Sequence, residues 1–395
     1  GLNFSHGSNN LWCLALKYVL KKIIYNKFKV GEEFMHKKKF DLPLFLAIII
    51  ISIFGIIMIY SASYIWAEYK FHDALKYVKQ ESLFFIVGIA VMLIASKLNL
   101  EFLKKKANLI LGICFLLLIL VLIPGIGSVR NGSRSWFGIG GLGIQPSEFA
   151  KIGLIIFTAK YLERNKRNMH DVKKGAFPIF LVIGVFFLLI MLEPDFGTAM
   201  VMALTIICLI FISGLKISFF VSLGIIGLVG IVLLIIAAPY RIARIISFLN
   251  PWSDPLGAGY QIIQSLYAIG PGGLLGQGFL KSRQKHFYLP EPQTDFIFSI
   301  ISEEFGFLGV LIVCGFFFFI FYRMLKIALQ TSSLFKKYLV FGLAFGIFIQ
   351  ASLNLAVVVG LIPVTGVTLP FFSYGGSSLL VSMLSIGLVL NVSRK

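Results

Sequence analysis

Long apolar runs separated by short polar connections dominate the chain. With about twenty apolar residues needed to cross a bilayer, the pattern predicts ten spans, at residues 42–62, 82–97, 107–124, 146–162, 176–192, 197–213, 217–238, 297–322, 337–361 and 367–391. The connections are short except for one polar segment, Pro239 to Phe298, between the seventh and eighth spans. A loop of that length inside a compact membrane protein is uncommon unless it is functional. The expected fold class is all-α and polytopic, with a large extracellular loop at about 239–297. Residues 1–35 read as a separate cytoplasmic extension and residues 36–395 as the membrane domain. Within the extension, LWCLALKYVLKKIIYNKFK fits either a basic amphipathic surface helix or extra, non-native sequence.

Composition agrees with this pattern. The chain is 58% hydrophobic and 13% charged, a balance that belongs to polytopic membrane proteins rather than soluble domains. Lys and Arg outnumber Asp and Glu, 36 to 17, so their placement sets the orientation. With both termini in the cytosol, the inside loops hold Lys37–Lys39, Lys104–Lys106, Arg164, Lys166, Arg167, Lys173, Lys174, Arg323, Lys326, Lys336, Lys337 and Arg394. Retention of basic loops accounts for this charge, and no nucleic-acid partner is expected. Two outside loops break the trend, through Arg130 and Arg134 in one and Arg241, Arg244, Lys281, Arg283 and Lys285 in the other. Basic residues on the disfavoured face predict an anionic ligand. The cysteines Cys13, Cys114, Cys208 and Cys314 show no CxxC spacing and read as small apolar residues rather than a disulfide framework.

Polar groups inside or beside apolar spans are costly and mark candidate sites. In residues 128–151, Gly and Ser make a tight loop around Trp136, and Pro146 starts a helix with Glu148 in its first turn. Glu148 and Lys151 are spaced i,i+3, which suits an ion pair on one helical face. Trp136 suits either an interfacial anchor or substrate contact. In the turn Glu193-Pro194-Asp195 the two acids could cap the next helix or bind a cation, and Asp195 is the one placed to cap. In the large loop, Arg241 and Arg244 lie one helical turn apart, a geometry suited to phosphate oxygens. Gly270–Gly278 could bring backbone N–H groups to an anion. Tyr260, Gln261, Gln264 and Ser265, spaced to face one side of a helix, could offer hydrogen bonds to a sugar, and His286 has no partner at metal or triad spacing. Asp295 precedes a span, where it could be a helix cap or a partly desolvated general base. Glu303 and Glu304 are expected to bond within the bundle. Gln350 and Asn354, spaced i,i+4, lie inside a span, and residues 362–378 break the last helix with Pro and Gly, which is tolerated only where the chain packs in protein or lines a cavity.

Six ordered stretches together resemble the SEDS family (shape, elongation, division and sporulation: FtsW, RodA, SpoVE). They are VRNGSRSWFGIG with IQPSEFAK, EPDFGTA, PYRIARI, NPWSDPLGAGYQIIQSLYAIGPGGL, SRQKHFYLPEPQTDFIF and LIPVTGVTLPFFSYGGSSL. NGSRSW and FYLPEPQTDFIF are closest to the FtsW/SpoVE branch. The resemblance implies a ten-helix fold and a peptidoglycan glycosyltransferase in the bacterial plasma membrane, polymerising lipid II at the outer face for division or sporulation. It also implies a class B penicillin-binding protein (a transpeptidase) as partner, with divisome or elongasome proteins around it. The family's essential acid maps onto Asp295 and its tryptophan onto Trp136. Arg134, Glu148, Lys151, Arg241, Arg244, Lys285 and Ser377 carry over as substrate-binding candidates. A divalent cation, Mg or Mn, is a candidate at the pyrophosphate, although the sequence offers no dedicated cage. Two other readings stay open at this point, a lipid II flippase and a non-enzymatic scaffold for the transpeptidase.

Overall fold

The computed structural model describes residues 40–130, 132–139, 142–169, 175–236, 248–257 and 259–394. The N-terminal extension up to residue 39, together with Arg241 and Arg244, lies outside the described residues. Among those described, the helices are α1 (Leu42–Phe71), α2 (Lys76–Ala95), α3 (Leu100–Leu122), α4 (Pro146–Arg164), α5 (Phe177–Leu192), α6 (Phe196–Ile212), α7 (Ile217–Ile236), α8 (Tyr260–Ile269), α9 (Ile297–Gln330), α10 (Leu334–Val358) and α11 (Gly376–Ser393). All but the short α8 correspond to the predicted spans. Six of them, α1, α2, α3, α9, α10 and α11, are individually long and apolar enough to cross a bilayer, and α5 and α6 are shorter apolar helices. This is a multi-pass membrane protein. Its large loop joins α7 to α9 and carries α8.

Two expectations need correction. The last span does not begin at 367: Pro370 cannot donate to a helix, and α11 starts only at Gly376. The preceding irregular chain packs deep against α1, where a side chain at Gly55 would meet the Phe371 carbonyl at 2.3 Å. Residues 128–144 are also not merely a tight loop. They pair as an antiparallel sheet, β1 (Ser128–Arg130), β2 (Ser133–Ile139) and β3 (Leu142–Ile144), in the order β1-β2-β3. The sequence signal was present, since Asn131-Gly132 and Gly140-Gly141 separate the paired segments and such dipeptides favour two-residue hairpins.

Helices α1 and α9 run antiparallel, clasped by polar contacts at both ends. At one end Asp41, which also caps α1 by accepting from the Leu44 N–H at 3.0 Å, pairs with Arg323 at 2.7 Å. At the other, Ser61 donates to Glu304 at 2.6 Å. The two clasps lie about 30 Å apart along α1, the thickness of a bilayer core. Cys114 is buried and Cys208 and Cys314 are partly buried, all three free thiols.

Helix α9 is broken at Gly306, whose φ of 61° and ψ of −157° belong to a region only glycine occupies readily. The break would orphan two carbonyls and two N–H groups, and the glycine-rich run of the large loop satisfies all four. Gln277 and Gly278 donate to the carbonyls of Glu303 and Glu304 at 2.9 and 3.0 Å, while Phe307 and Leu308 donate to Gly273 and Leu274 at 2.8 and 3.1 Å. The loop thereby substitutes for the missing helical turn. The N–H groups of Gln277 and Gly278, expected to approach an anion, are consumed by α9. In Gly306→Ala the new Cβ would meet the Gly276 nitrogen at 2.4 Å. Backbone strain alone should cost about 1–3 kcal/mol, and the variant should melt several degrees below wild type in a detergent thermal-unfolding assay.

Candidate active site

Asp295 lies at the end of the large loop, one residue before the N-cap of α9. It does not cap that helix: the N-cap is Phe296, and the helix has no side-chain cap hydrogen bond among the described residues. The Asp295 carboxylate instead accepts from the Thr294 hydroxyl at 2.9 Å. Burial raises its pKa above the usual carboxylate value, with Glu291 adding to the rise and the Thr294 bond opposing it. Its main chain is fixed from α10, because Asn354 Nδ2 donates to the Asp295 carbonyl at 2.7 Å. The adjoining Gln293 carbonyl accepts from the Tyr374 N–H at 2.8 Å.

A second polar network is built where α4, α6, α10 and α11 meet. Lys151 pairs with Glu148 at 2.9 Å and donates to Gln350 Oε1 at 2.7 Å, all three buried. Gln350 Nε2 donates in turn to the Thr368 carbonyl and the Ser378 hydroxyl, each at 3.1 Å. Ser377 accepts from the Gln145 N–H and donates to the Gly143 carbonyl, each at 3.1 Å, tying the start of α11 to the junction of β3 and α4. Gln145 Nε2 reaches Asp195 at 2.7 Å, and Asp195 caps α6 through the Thr198 N–H at 3.0 Å, as its position in the turn suggested. Beneath Lys151 lies a cavity of about 30 Å³ lined also by Thr205, Gln350, Ser382 and Ser385, room for about two waters.

Arg134 and Trp136 lie two residues apart on β2, on either side of an irregularity in its pairing with β1. Both are half-buried. Arg134 Nη1 lies 3.4 Å from the Leu122 carbonyl at the end of α3, where a cation suits the helix dipole. The Ser133 and Ser135 hydroxyls meet each other, and Ser133 donates to the Glu193 carbonyl, which docks the sheet on the turn between α5 and α6.

Residues 42–395 match the family model described as cell cycle protein, FtsW/RodA/SpoVE. The chain belongs to this family. It is 50% identical over 354 residues to stage V sporulation protein E of Bacillus subtilis (strain 168), covering 90% of this chain and 97% of that one. It is 41% identical over 357 residues to the probable peptidoglycan glycosyltransferase FtsW of Geobacter sp. (strain M18), with 90% and 97% covered. Among solved structures it is similar to a chain of a peptidoglycan synthase complex studied for coordination of polymerisation and crosslinking (TM-score 0.73, 33% identity, 90% and 98% covered). It is also similar to the Thermus thermophilus rod shape determining protein RodA (TM-score 0.67, 30% identity, 90% and 97% covered). The FtsW/SpoVE wording read from the motifs agrees with these relatives.

Within this FtsW/RodA/SpoVE chain, the predicted site residues separate into groups. Glu148 and Lys151 share one network with Gln350, Ser377 beside it ties α11 to Gly143 and Gln145, and Asp295 joins the same helix α10 through Asn354. Lys285 stands elsewhere: its ammonium is fully buried, paired with Glu304 at 2.9 Å beside Ser61. The adjacent Glu303 accepts from Ser282 Oγ and from the Arg283 N–H at 2.5 and 2.7 Å. Lys285 therefore fastens the loop to α9, whereas Lys281 and Arg283 are exposed. Gln264 is half-buried on α8, but Ser265, expected on the same polar face, is buried against Ser299 and the Val358 carbonyl, each at 2.7 Å. Among the described residues no three His, Cys, Asp or Glu side chains converge as a cation cage.

Sequence reasoning gave Glu193 only a shared role with Asp195, as a cap or a cation ligand, yet it is fully buried and neither carboxylate oxygen has a hydrogen-bond partner among the described residues. Burial first, and Asp195 second, raise its pKa from 4.5 to about 9. The folded protein thus favours the neutral acid, so its contribution to stability is complete below pH 4.5 and is lost as pH rises towards 9. Glu193→Gln, which cannot ionise, should weaken the fall in melting temperature across that window. Thermal unfolding at stepped pH checks this, and equal slopes for variant and wild type would refute the assignment.

Proposed function

We propose that the chain is a peptidoglycan glycosyltransferase that polymerises lipid II at the outer face of the bacterial plasma membrane, with Asp295 as general base. The observation that carries this reading is a carboxylate at a helix mouth that caps nothing, has a raised pKa and is held by its backbone. Such a group suits proton abstraction near neutral pH. Asp295 takes the proton from the 4-hydroxyl of the acceptor GlcNAc, and that oxygen attacks the anomeric carbon of the donor MurNAc. Undecaprenyl pyrophosphate leaves with the bonding electrons, and a single displacement converts an α-linked donor into a β-1,4 product. Exposed Lys281 and Arg283, with Arg134, Arg241 and Arg244, supply cations for the charge that builds on the leaving group. Trp136 and Gln264 contact the lipid-linked sugar. Glu148, Lys151 and Ser377 hold the floor of the site rather than the substrate's charge.

Both termini lie in the cytosol under this reading, as the basic loops favour. A class B penicillin-binding protein is the partner, in keeping with a structural relative from a complex that polymerises and crosslinks.

The test is purified protein with its partner transpeptidase and labelled lipid II. Wild type should form glycan polymer, and Asp295→Asn should lose about 10²–10⁴-fold in rate, the usual worth of a general base, while still binding lipid II. Because the base must be ionised and its pKa is raised, wild-type activity should fall as pH drops through values above the ordinary carboxylate range. A variant polymerising at the wild-type rate would sink the assignment. Lipid II crossing liposomes without polymer would favour a flippase instead.

A further inference from the structure

Asn354 lies inside α10, 1% exposed, where a polar side chain needs a reason. Its Nδ2 donates to two main-chain carbonyls from different parts of the fold, Asp295 and Val367, each at 2.7 Å. Its Oδ1 is buried with no hydrogen-bond partner among the described residues. Two carbonyl oxygens on one amide terminus fix the orientation of that amide, since only the NH₂ end can donate to both. One turn earlier on the same face of α10, Gln350 makes the matching contacts, accepting from Lys151 and donating to Thr368 and Ser378. The irregular segment carrying Val367 and Thr368 is thus held by both amides.

We infer that Asn354 is a positioning residue for Asp295: by bridging the carbonyls of Asp295 and Val367, its amide fixes the backbone from which the carboxylate works. This rests on the general-base reading of Asp295. Among the described residues the Asp295 carboxylate accepts from one side chain, Thr294, which is its own neighbour in the loop. Orientation relative to the bundle therefore depends on the backbone, and the backbone is tied to α10 by this amide. A base must sit within hydrogen-bond reach of the proton it removes, and a displacement near 1 Å can cost about 10²-fold in rate. Because Oδ1 has no hydrogen-bond partner among the described residues, substitution there removes the two donations.

The experiment compares wild type, Asn354→Leu, Asn354→Asp, Asp295→Ala and the double variant Asn354→Leu with Asp295→Ala, each in complex with the transpeptidase, on labelled lipid II. Asn354→Leu keeps the volume and removes both donors; Asn354→Asp is isosteric and sets an acceptor against two carbonyls, so it answers the question should the leucine variant fail to fold. Both should lower turnover by about 10–100-fold with KM for lipid II nearly unchanged. The acid limb of the pH profile should move with them, because the surroundings of Asp295 change, whereas a merely structural role would leave the limb in place. In the Asp295→Ala background the Asn354→Leu change should add no further loss. Normal turnover in both Asn354 variants, or an equal loss with and without Asp295, overturns the inference while leaving Asp295 as base. Wild-type turnover by Asp295→Ala removes the general-base reading itself, and this inference with it.

Discussion

Every backbone N–H and C=O inside the bundle must find a protein partner, because hydrocarbon offers none. A helix meets this demand by itself. This chain breaks the rule twice beside its candidate site, once at Gly306 in α9 and once in the irregular run between α10 and α11. Each break persists because another part of the fold supplies the missing bonds. At Gly306 the loop backbone from Gly273 to Gly278 exchanges four hydrogen bonds with α9. In the second break the amides of Gln350 and Asn354 take up the carbonyls of Thr368 and Val367.

These repairs hold the irregular segments beside the site in place through hydrogen bonds from the rest of the fold. The large loop from residue 259 onward is fastened to the bundle: Lys285 pairs with Glu304, Glu303 accepts from three consecutive residues of it, and Ser265 anchors α8. Removing one partner of a fully buried pair such as Lys285–Glu304 leaves an uncompensated charge, so that pair serves placement of the loop. Rigid mounting is what a general base requires, since its efficiency depends on geometry first and pKa second. The same polar floor extends to Glu148 and Lys151, so the two halves of the candidate site share one helix, α10.

Much of the fold was legible in the sequence. Twenty-residue apolar runs have one cheap solution in a bilayer, which is why the ten helices fall near their expected places. Glu148 and Lys151 were readable as a pair because i,i+3 spacing on a helix is a local fact, and Asp195 as a cap for the same reason. The sheet at 128–144 carried Asn-Gly and Gly-Gly signals but so few residues per strand that periodicity is weak. The role of the glycines at 270–278 was not legible. Glycine permits many backbone conformations, and which partner its N–H groups meet is a non-local matter.

The sequence by itself determined the membrane class, the apolar spans, the loop of interest and the residue types available for chemistry, because hydropathy and short-range spacing are properties of neighbouring residues. Only the tertiary structure decided between two readings of the same side chain. Asp295 could have capped α9, and does not. Lys285 could have met an anion at the surface, and is buried on Glu304 instead. Gln350 and Asn354 were merely two polar residues in a span until the chain from Val367 to Ser378 was folded against them. Each choice turns on which distant group arrives within about 3 Å, and contacts between residues tens to hundreds of positions apart are fixed by packing, not by local pattern.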